Sequence, residues 1–423
     1  MRQSGFLKSV LTLLSGSVTA QFILLLSNLL MARWYAPEIL GEFRVFAPVV
    51  FISALLACGG YELAVMLPKR DRDAYALVRL SSKILLSCLL LLSPVAFLLR
   101  HWLADVFNAP SLGFWALFWP LSIFMEGAFN LMHQFLVRKK CYKNASVTFL
   151  TYALVYAAIA LIGSQIYFSV HIFFIAWLSA QAVKVSLYWW FYQKQKREDQ
   201  AVFSEEASKG LARQYWQYPV FHLGSSFTNT ASKESVAPML SAFYGSATAG
   251  LYGLAYQVLF LPMRFLSQSV TTVFYQRVAK ARDLGPKHVK RETLTTVFFL
   301  LLVSTLPTFF LTFFGADLFA LLFGEEWRDA AVFIKWLAAF AIVSSVASPL
   351  TSLVNVKFKL ASFFAFNLLL LVSRLGAVAL GAYWGQGAEL SIQLYGLAAF
   401  LGAVVLIVWM LQLAGIFKKE PSA

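Results

Sequence analysis

Charge is scarce in this sequence: of 423 residues only 13% are Asp, Glu, Lys or Arg, against 60% hydrophobic and 16% aromatic. The longest polar interval, roughly 193–214, is too short to bury a core of its own, so no soluble domain can be separated from the rest. Cysteine is nearly missing as well. Cys58, Cys88 and Cys141 share no metal-ligand or redox spacing, two of them lie inside apolar runs, and they read as small hydrophobes. No glycine-rich loop ending in Lys-Ser/Thr occurs, which excludes ATP hydrolysis of the P-loop type. Neither a paired-histidine metal motif nor a nucleophile elbow is present, so no metal and no cofactor is expected.

What the chain has in abundance is apolar length. Its mean hydropathy is +0.69, and its apolar runs repeatedly exceed the roughly 20 residues that cross a bilayer. The fold class is therefore an all-α polytopic membrane protein. Breaks at charged, Gly and Pro residues divide it into twelve expected spans: 9–34, 41–67, 76–99, 113–137, 145–166, 170–192, 214–241, 248–276, 292–315, 330–354, 360–384 and 389–416. The first apolar run, from Val10 to Ala32, exceeds the ~7 to 15 residues of a cleavable signal core and is expected to be retained.

The net charge of +15 is a topology signal. Most of the 35 Lys and Arg residues fall in the even loops and the two tails, including "PKRDRD", "VRKKCYK", "QKQKRED" and "RVAKARDLGPKHVKR". The odd loops hold only Arg33, Arg44, Arg100 and Arg328. Cationic loops stay in the cytoplasm, which places both termini there. The cations are dispersed over short loops, so nucleic acid is not an expected partner. The odd loops are short, the longest being about 315–329 with "GEEWRD", and leave no room for an active-site domain.

The two halves resemble each other. "LLMARWYAPEILGEFRVF" from Leu29 aligns without a gap on "PMLSAFYGSATAGLYGLA" from Pro238, pairing Tyr35 with Tyr244 and Gly41 with Gly250 at a shift of 209. Pro94 pairs with Pro307 at a shift of 213, inside the third span of each half. Their common order predicts two six-span lobes, 1–192 and 214–423, joined by a cytoplasmic linker at 193–213. Six is even, so the lobes run parallel around an axis along the membrane normal, an arrangement that favours a transporter with a central cavity.

Polar residues within the spans mark the candidate site. In span 7, His222, Ser226, Asn229 and Lys233 fall within about 60° of one another at about 100° per residue, with Thr230 on the edge of the stripe. Span 1 carries Ser17, Gln21 and Asn28 on one face, and the repeat shift matches Ser17 to Ser226 and Gln21 to Thr230. Span 8 carries Gln257, Arg264, Gln268, Thr271 and Tyr275 in one arc, and Glu62 of span 2 stands opposite Thr271 in the repeat. Span 4 adds Glu126, Asn130 and His133, and span 11 adds Asn367 and Arg374. An ionisable group facing lipid at such depth costs about 2.5 to 3.5 kcal/mol on insertion scales, so these groups should face water or protein. Lys184 and Lys335 lie within reach of a membrane face and read as snorkelling cations. Lys233, Arg264 and Arg374 point to an anionic passenger, and a phosphate suits the planar fork of arginine.

Five stretches carry a family resemblance: "LTLLSGSVTAQ" in span 1, "APEILGEFRVF" leading into span 2, "GGYELAVMLPKRDRDA" closing it, "GLYGLAYQVLFLPMRFLSQSVTTVFYQ" in span 8 and "LFGEEWRDAA" before span 10. Together they resemble the Wzx-type oligosaccharide flippases, or polysaccharide biosynthesis proteins, of the multidrug/oligosaccharidyl-lipid/polysaccharide exporter superfamily. The resemblance implies a V-shaped two-lobe bundle with a cationic central cavity. It implies, too, the translocation of a polyprenyl-pyrophosphate-linked oligosaccharide, such as an O-antigen or other lipopolysaccharide or surface-polysaccharide repeat unit, by alternating access. Glu62, in the family-like "YELA", carries over as a lining residue. Further partners implied are a polysaccharide polymerase or chain-length machinery, and H+ or Na+ with Glu62 or Glu126 as proton carrier. Two rival readings stay open. A cation-coupled drug or metabolite exporter should have a site dominated by carboxylates, and a membrane-bound glycan-modifying enzyme should show a His/Asp/Arg cluster near a membrane face.

Overall fold

The computed structural model describes residues 2–198, 205–216, 219–220, 223–284, 286–351, 353, 360–385 and 387–415. Among them every regular element is a helix. Two compact units, Met1–Ala247 and Thr248–Ala423, divide the chain.

The first unit contains α1 (Arg2–Trp34), α2 (Pro37–Ala57), the single turn α3 (Tyr61–Ala64), α4 (Asp71–Val106) and α5 (Leu112–Trp115). It continues with α6 (Trp119–Arg138), α7 (Tyr142–Ile166), α8 (His171–Glu198), α9 (Glu205–Gln214), α10 (Leu223–Glu234) and α11 (Val236–Tyr244). α1 packs on α7, α7 on α8, and α6 on α2, α4 and α8. The core between them is aromatic: the Trp115 and Phe174 rings stack 4.7 Å apart, and Tyr35 stacks on Phe168 at 4.1 Å while its hydroxyl meets Ser164 Oγ at 3.0 Å. α10 and α11 belong to this unit because both pack against α2. Asn108 Nδ2 also donates to the Ser241 and Ala242 carbonyls, each at 3.2 Å, tying the end of α4 to α11.

The second unit holds α12 (Ser246–Leu284, opening just before the boundary), α13 (Pro286–Phe323), α14 (Ala330–Leu350), α15 (Leu360–Tyr383) and α16 (Ala388–Leu413). α14 packs on α13 and α16, and α16 on α15. Gly396 of α16 lies directly against the Trp336 carbonyl of α14, where a Cβ has no room; small residues allow such close approach between helices in a bilayer.

Ten helical stretches among the described residues are long and apolar enough to cross a membrane. Outward faces such as Phe298, Leu302 and Leu306 on α13 are exposed, as befits helices that meet lipid. Expected span 7 is divided into α10 and α11 at Ser235, and expected span 8 becomes α12, whose Gln, Arg and Gly content dilutes its apolar character. Span 2 stops at Ala57 rather than at 67, because Gly59 and Gly60 adopt positive φ of 66° and 75° and end the helix. The cationic loops of the first unit share one end: Arg138 and Lys139, after α6, reach Asp71, at the start of α4, at 2.9 and 2.6 Å.

Candidate functional site

The first unit assembles an ionic cluster from four helices. α2 begins with Pro at its first position, a residue whose fixed φ suits a helix start, so Arg44 lies two turns inside the helix rather than in a loop. This corrects the expected place of Arg44 among the odd-loop cations; "YAPE" was the available signal. The half-buried Arg44 guanidinium interacts electrostatically with the Tyr156 hydroxyl of α7 and the Glu234 carboxylate of α10. Tyr156 in turn donates to Asn28 Oδ1 of α1 at 3.4 Å. Asn28 and Arg44 therefore meet at Tyr156, and Glu234 joins the cluster through Arg44.

α10 has two polar faces. Thr228 and Ser232 are buried and return their hydroxyls to the Gly224 and Asn229 carbonyls, each at 2.9 Å. Ser226, Asn229, Thr230 and Lys233 stay half-buried, so the expected stripe is the more open face. His222, its first member, falls outside the described residues. Gln21 and Ser17 on α1 are likewise half-buried.

Glu62 occupies the break after α2. Its side chain is only 5% exposed; the carboxylate accepts from the backbone N–H of Gly60 and of Glu62 itself, and Oε2 has no hydrogen-bond partner among the described residues. The break is clamped from both sides: Tyr61 Oη donates to the Ala212 carbonyl at 3.4 Å, and a Cβ on Gly60 would meet Pro219 Cα and Leu223 Cβ at 3.0 Å.

Glu126 sits elsewhere, inside the α6–α8 layer. Its Oε2 accepts from Gln181 Nε2 at 2.8 Å and from Lys184 Nζ at 3.0 Å. Lys184 does not snorkel: it is 4% exposed, and its ammonium lies 3.8 Å from the centre of the Phe129 ring and 5.0 Å from that of Tyr152. The carboxylate and the two rings replace the water the charge would otherwise require. His133 pairs with Tyr188 Oη at 2.9 Å, and Asn130 is half-buried.

In the second unit Arg264 and Gln268 are exposed on α12 and Gln257 is half-buried, whereas Tyr275's side chain lies outside those described. Thr271 returns its hydroxyl to the Ser267 carbonyl at 2.6 Å. Arg374 is 3% exposed and Asn367 is also buried, which puts this pair in the core of the unit. An aromatic row links the two arginines: Arg264 lies 5.7 Å from the Tyr256 ring, Tyr256 stacks on Phe260 at 4.3 Å, Phe260 meets Phe340 at 5.3 Å, and Arg374 lies 5.1 Å from Phe340. Lys335 is exposed.

Residues 30–332 match the family described as polysaccharide biosynthesis protein. The chain belongs to that family. It is 26% identical over 235 residues to the teichuronic acid biosynthesis protein TuaB of Bacillus subtilis (strain 168), covering 54% of this chain and 43% of TuaB. It is 28% identical over 134 residues to the lipopolysaccharide biosynthesis protein WzxC of Escherichia coli (strain K12), covering 30% of this chain and 26% of WzxC. The chain thus spans less than half the length of these relatives. In fold it is similar to an inward-facing multidrug resistance MATE transporter of the MOP superfamily, with a TM-score of 0.75 at 14% identity over 95% of this chain and 96% of the transporter. It is similar, too, to the lipid II flippase MurJ, with a TM-score of 0.72 at 12% identity over 93% and 86% of the two chains. The polysaccharide-biosynthesis member described here is a multi-pass membrane protein of transporter fold.

Proposed function

We propose that this family member translocates a polyprenyl-pyrophosphate-linked oligosaccharide, an O-antigen or other surface-polysaccharide repeat unit, across the bacterial inner membrane by alternating access. In this reading the chain has two lobes, 1–192 and 214–423, joined by a cytoplasmic linker at 193–213, with both termini in the cytoplasm. The observation that carries this reading is the set of half-buried charges and amides on α1, α2 and α10 in an otherwise apolar bundle, together with family membership. Arg44, Lys233 and Arg264 attract the pyrophosphate, which then crosses along polar protein instead of hydrocarbon. Asn28, Gln21, Ser226, Asn229, Gln257 and Gln268 receive sugar hydroxyls, and Tyr256 offers an aromatic face. The polyprenyl tail stays in the bilayer.

The test is a gene deletion complemented with wild type or with a Lys233→Ala/Arg264→Ala variant expressed at the same level, with lipid-linked oligosaccharide quantified on each leaflet. Accumulation on the cytoplasmic leaflet, rescued by wild type only, supports the reading. No accumulation in the deletion overturns it. Likeness of fold to a multidrug transporter supports a second reading, a cation-coupled exporter of drugs or metabolites. Dye efflux by the wild-type protein, lost on collapse of the ion gradient, would favour that one.

A further inference from the structure

The outer side of the first unit has a groove of about 430 Å3 between α4, α6 and α8. That volume lies within the range of small-ligand sites, roughly 300 to 1,000 Å3. Arg79 and Ser82 of α4 form one wall, Trp189, Gln193 and Lys196 of α8 the other, and Met132 of α6 part of the floor. Spacing explains the walls: 79 and 82, and 189, 193 and 196, are each one face of a helix. No acidic residue lines the groove. Both cations are close to the end of the unit that carries "PKRDRD", "VRKKCYK" and "QKQKRED". Lys196 stands in the last turn of α8, and Arg79 is eight residues, about 12 Å of helix, beyond the start of α4.

From Arg79 the same face of α4 continues to Leu86 and Leu90, exposed by 51% and 67%. Trp189, half exposed, stands on the opposite wall, and amphipathic indoles favour the headgroup level of a bilayer. Cations at one end, a hydroxyl and an amide beside them, and exposed leucines leading away into the span reproduce in outline the two parts of an anionic phospholipid. Basic pockets between helices at a membrane surface favour such headgroups. We propose that this groove binds an anionic glycerophospholipid, with Arg79 and Lys196 at its phosphate oxygens and its acyl chains along Leu86 and Leu90. The bound lipid bridges α4 and α8 over the floor that α6 provides. This inference requires only that the protein is embedded in a membrane, so it stands or falls independently of the transported substrate.

The experiment is native mass spectrometry of the full-length protein titrated with phosphatidylglycerol or with phosphatidylcholine of the same acyl chains. Wild type should bind phosphatidylglycerol at least fivefold more tightly. Arg79→Gln and Lys196→Gln should each weaken that binding roughly fivefold, and the double variant roughly 25-fold, in line with the contribution of one cation near an anionic lipid. Lys335→Gln, an equal charge change at an exposed site elsewhere, should leave it unchanged. Arg79→Lys/Lys196→Arg should keep the preference, which separates loss of charge from loss of fold. Equal binding of the two lipids by wild type, or an undiminished preference in the double glutamine variant, would overturn the proposal. Tighter competition at the same two residues by a polyprenyl phosphate would also overturn it, by assigning the groove to another lipid.

Discussion

α2 and α12 start at matching places, Pro37 and Ser246, separated by the same 209 residues that pair Tyr35 with Tyr244, yet α2 ends at Ala57 and α12 runs on to Leu284. The cause is local. At that shift Gly59 and Gly60, both with positive φ, stand where the second half has Gln268 and Ser269 inside a helix. The preceding helix shows the reverse: α1 is continuous to Trp34, while its counterpart is interrupted at Ser235 between α10 and α11. Among the described residues of these two matched helix pairs, each half is interrupted once, in a different helix. Both adjoin ionisable residues, Glu62 in the first case and Lys233 with Glu234 in the second. An interruption frees backbone donors and acceptors at membrane depth, and these are tolerated where protein or water can satisfy them. The two halves share a span order but not the positions at which it is broken for polar use.

A second contrast lies in buried charge. The first unit buries an opposite pair, Glu126 with Lys184, while Arg374 of the second lies against a ring. Lys184→Met should destabilise the protein by about 3 to 5 kcal/mol, because it strands a buried carboxylate. Adding Glu126→Gln to it should recover most of the loss. Lys335→Gln, on the exposed side of the second unit, should stay within about 0.5 kcal/mol. Thermal midpoints of the purified variants in one detergent check all three, and equal losses for Lys184→Met and Lys335→Gln would remove the contrast.

Arg44 has Gly253 as its counterpart at the shift of 209, so the charge belongs to the first half alone. If it meets a phosphate, Arg44→Gln should slow glycolipid translocation at least about tenfold, the equivalent of a charge-assisted hydrogen bond of about 1.5 to 3 kcal/mol. Gly253→Arg in the same background should not restore the rate. The helix break gives a smaller effect: Gly60→Ala should cost about 1 to 2 kcal/mol for its left-handed backbone, before any shift forced by Pro219 and Leu223. Gln268→Ala, at the position matching Gly59 in an unbroken helix, should be neutral or slightly stabilising.

Much of this architecture was legible in the sequence, because bilayer thickness and backbone hydrogen bonding leave few choices. Apolar length gave the helix series to within a few residues at most ends, and the parity of the cationic loops reappears where Arg138 and Lys139 meet Asp71. The end of span 2 was not legible from hydropathy: 58–67 is as apolar as a span, and only the backbone of Gly59 and Gly60 ends it. Lys184 was misread for a related reason. Its distance from a membrane face is visible in sequence, but the partner that makes burial tolerable lies 58 residues away on another helix. The polar stripes were legible by period, and the division of α10 into closed and open polar faces was not, because hydroxyls that fold back on their own helix look the same in sequence as those that do not.

A stability effect as small as that of Lys335→Gln is expected in the second half of the proposed path. Arg264 is exposed on α12, 5.7 Å from the Tyr256 ring, whereas Arg374, at the other end of the same aromatic row, is buried. Arg264→Gln should therefore leave the thermal midpoint within the equivalent of about 0.5 kcal/mol. The same change at Arg374 should lower it clearly, since it alters a group enclosed by protein. If Arg264 serves the passenger, its loss should slow translocation by roughly fivefold while stability is kept, and Arg264→Lys should restore part of the rate, since lysine keeps the charge but not the planar fork. A fall in stability on Arg264→Gln with no further change in rate would make the arginine a packing partner of Tyr256. The anionic path would then rest on Arg44 and Lys233, both in the first unit.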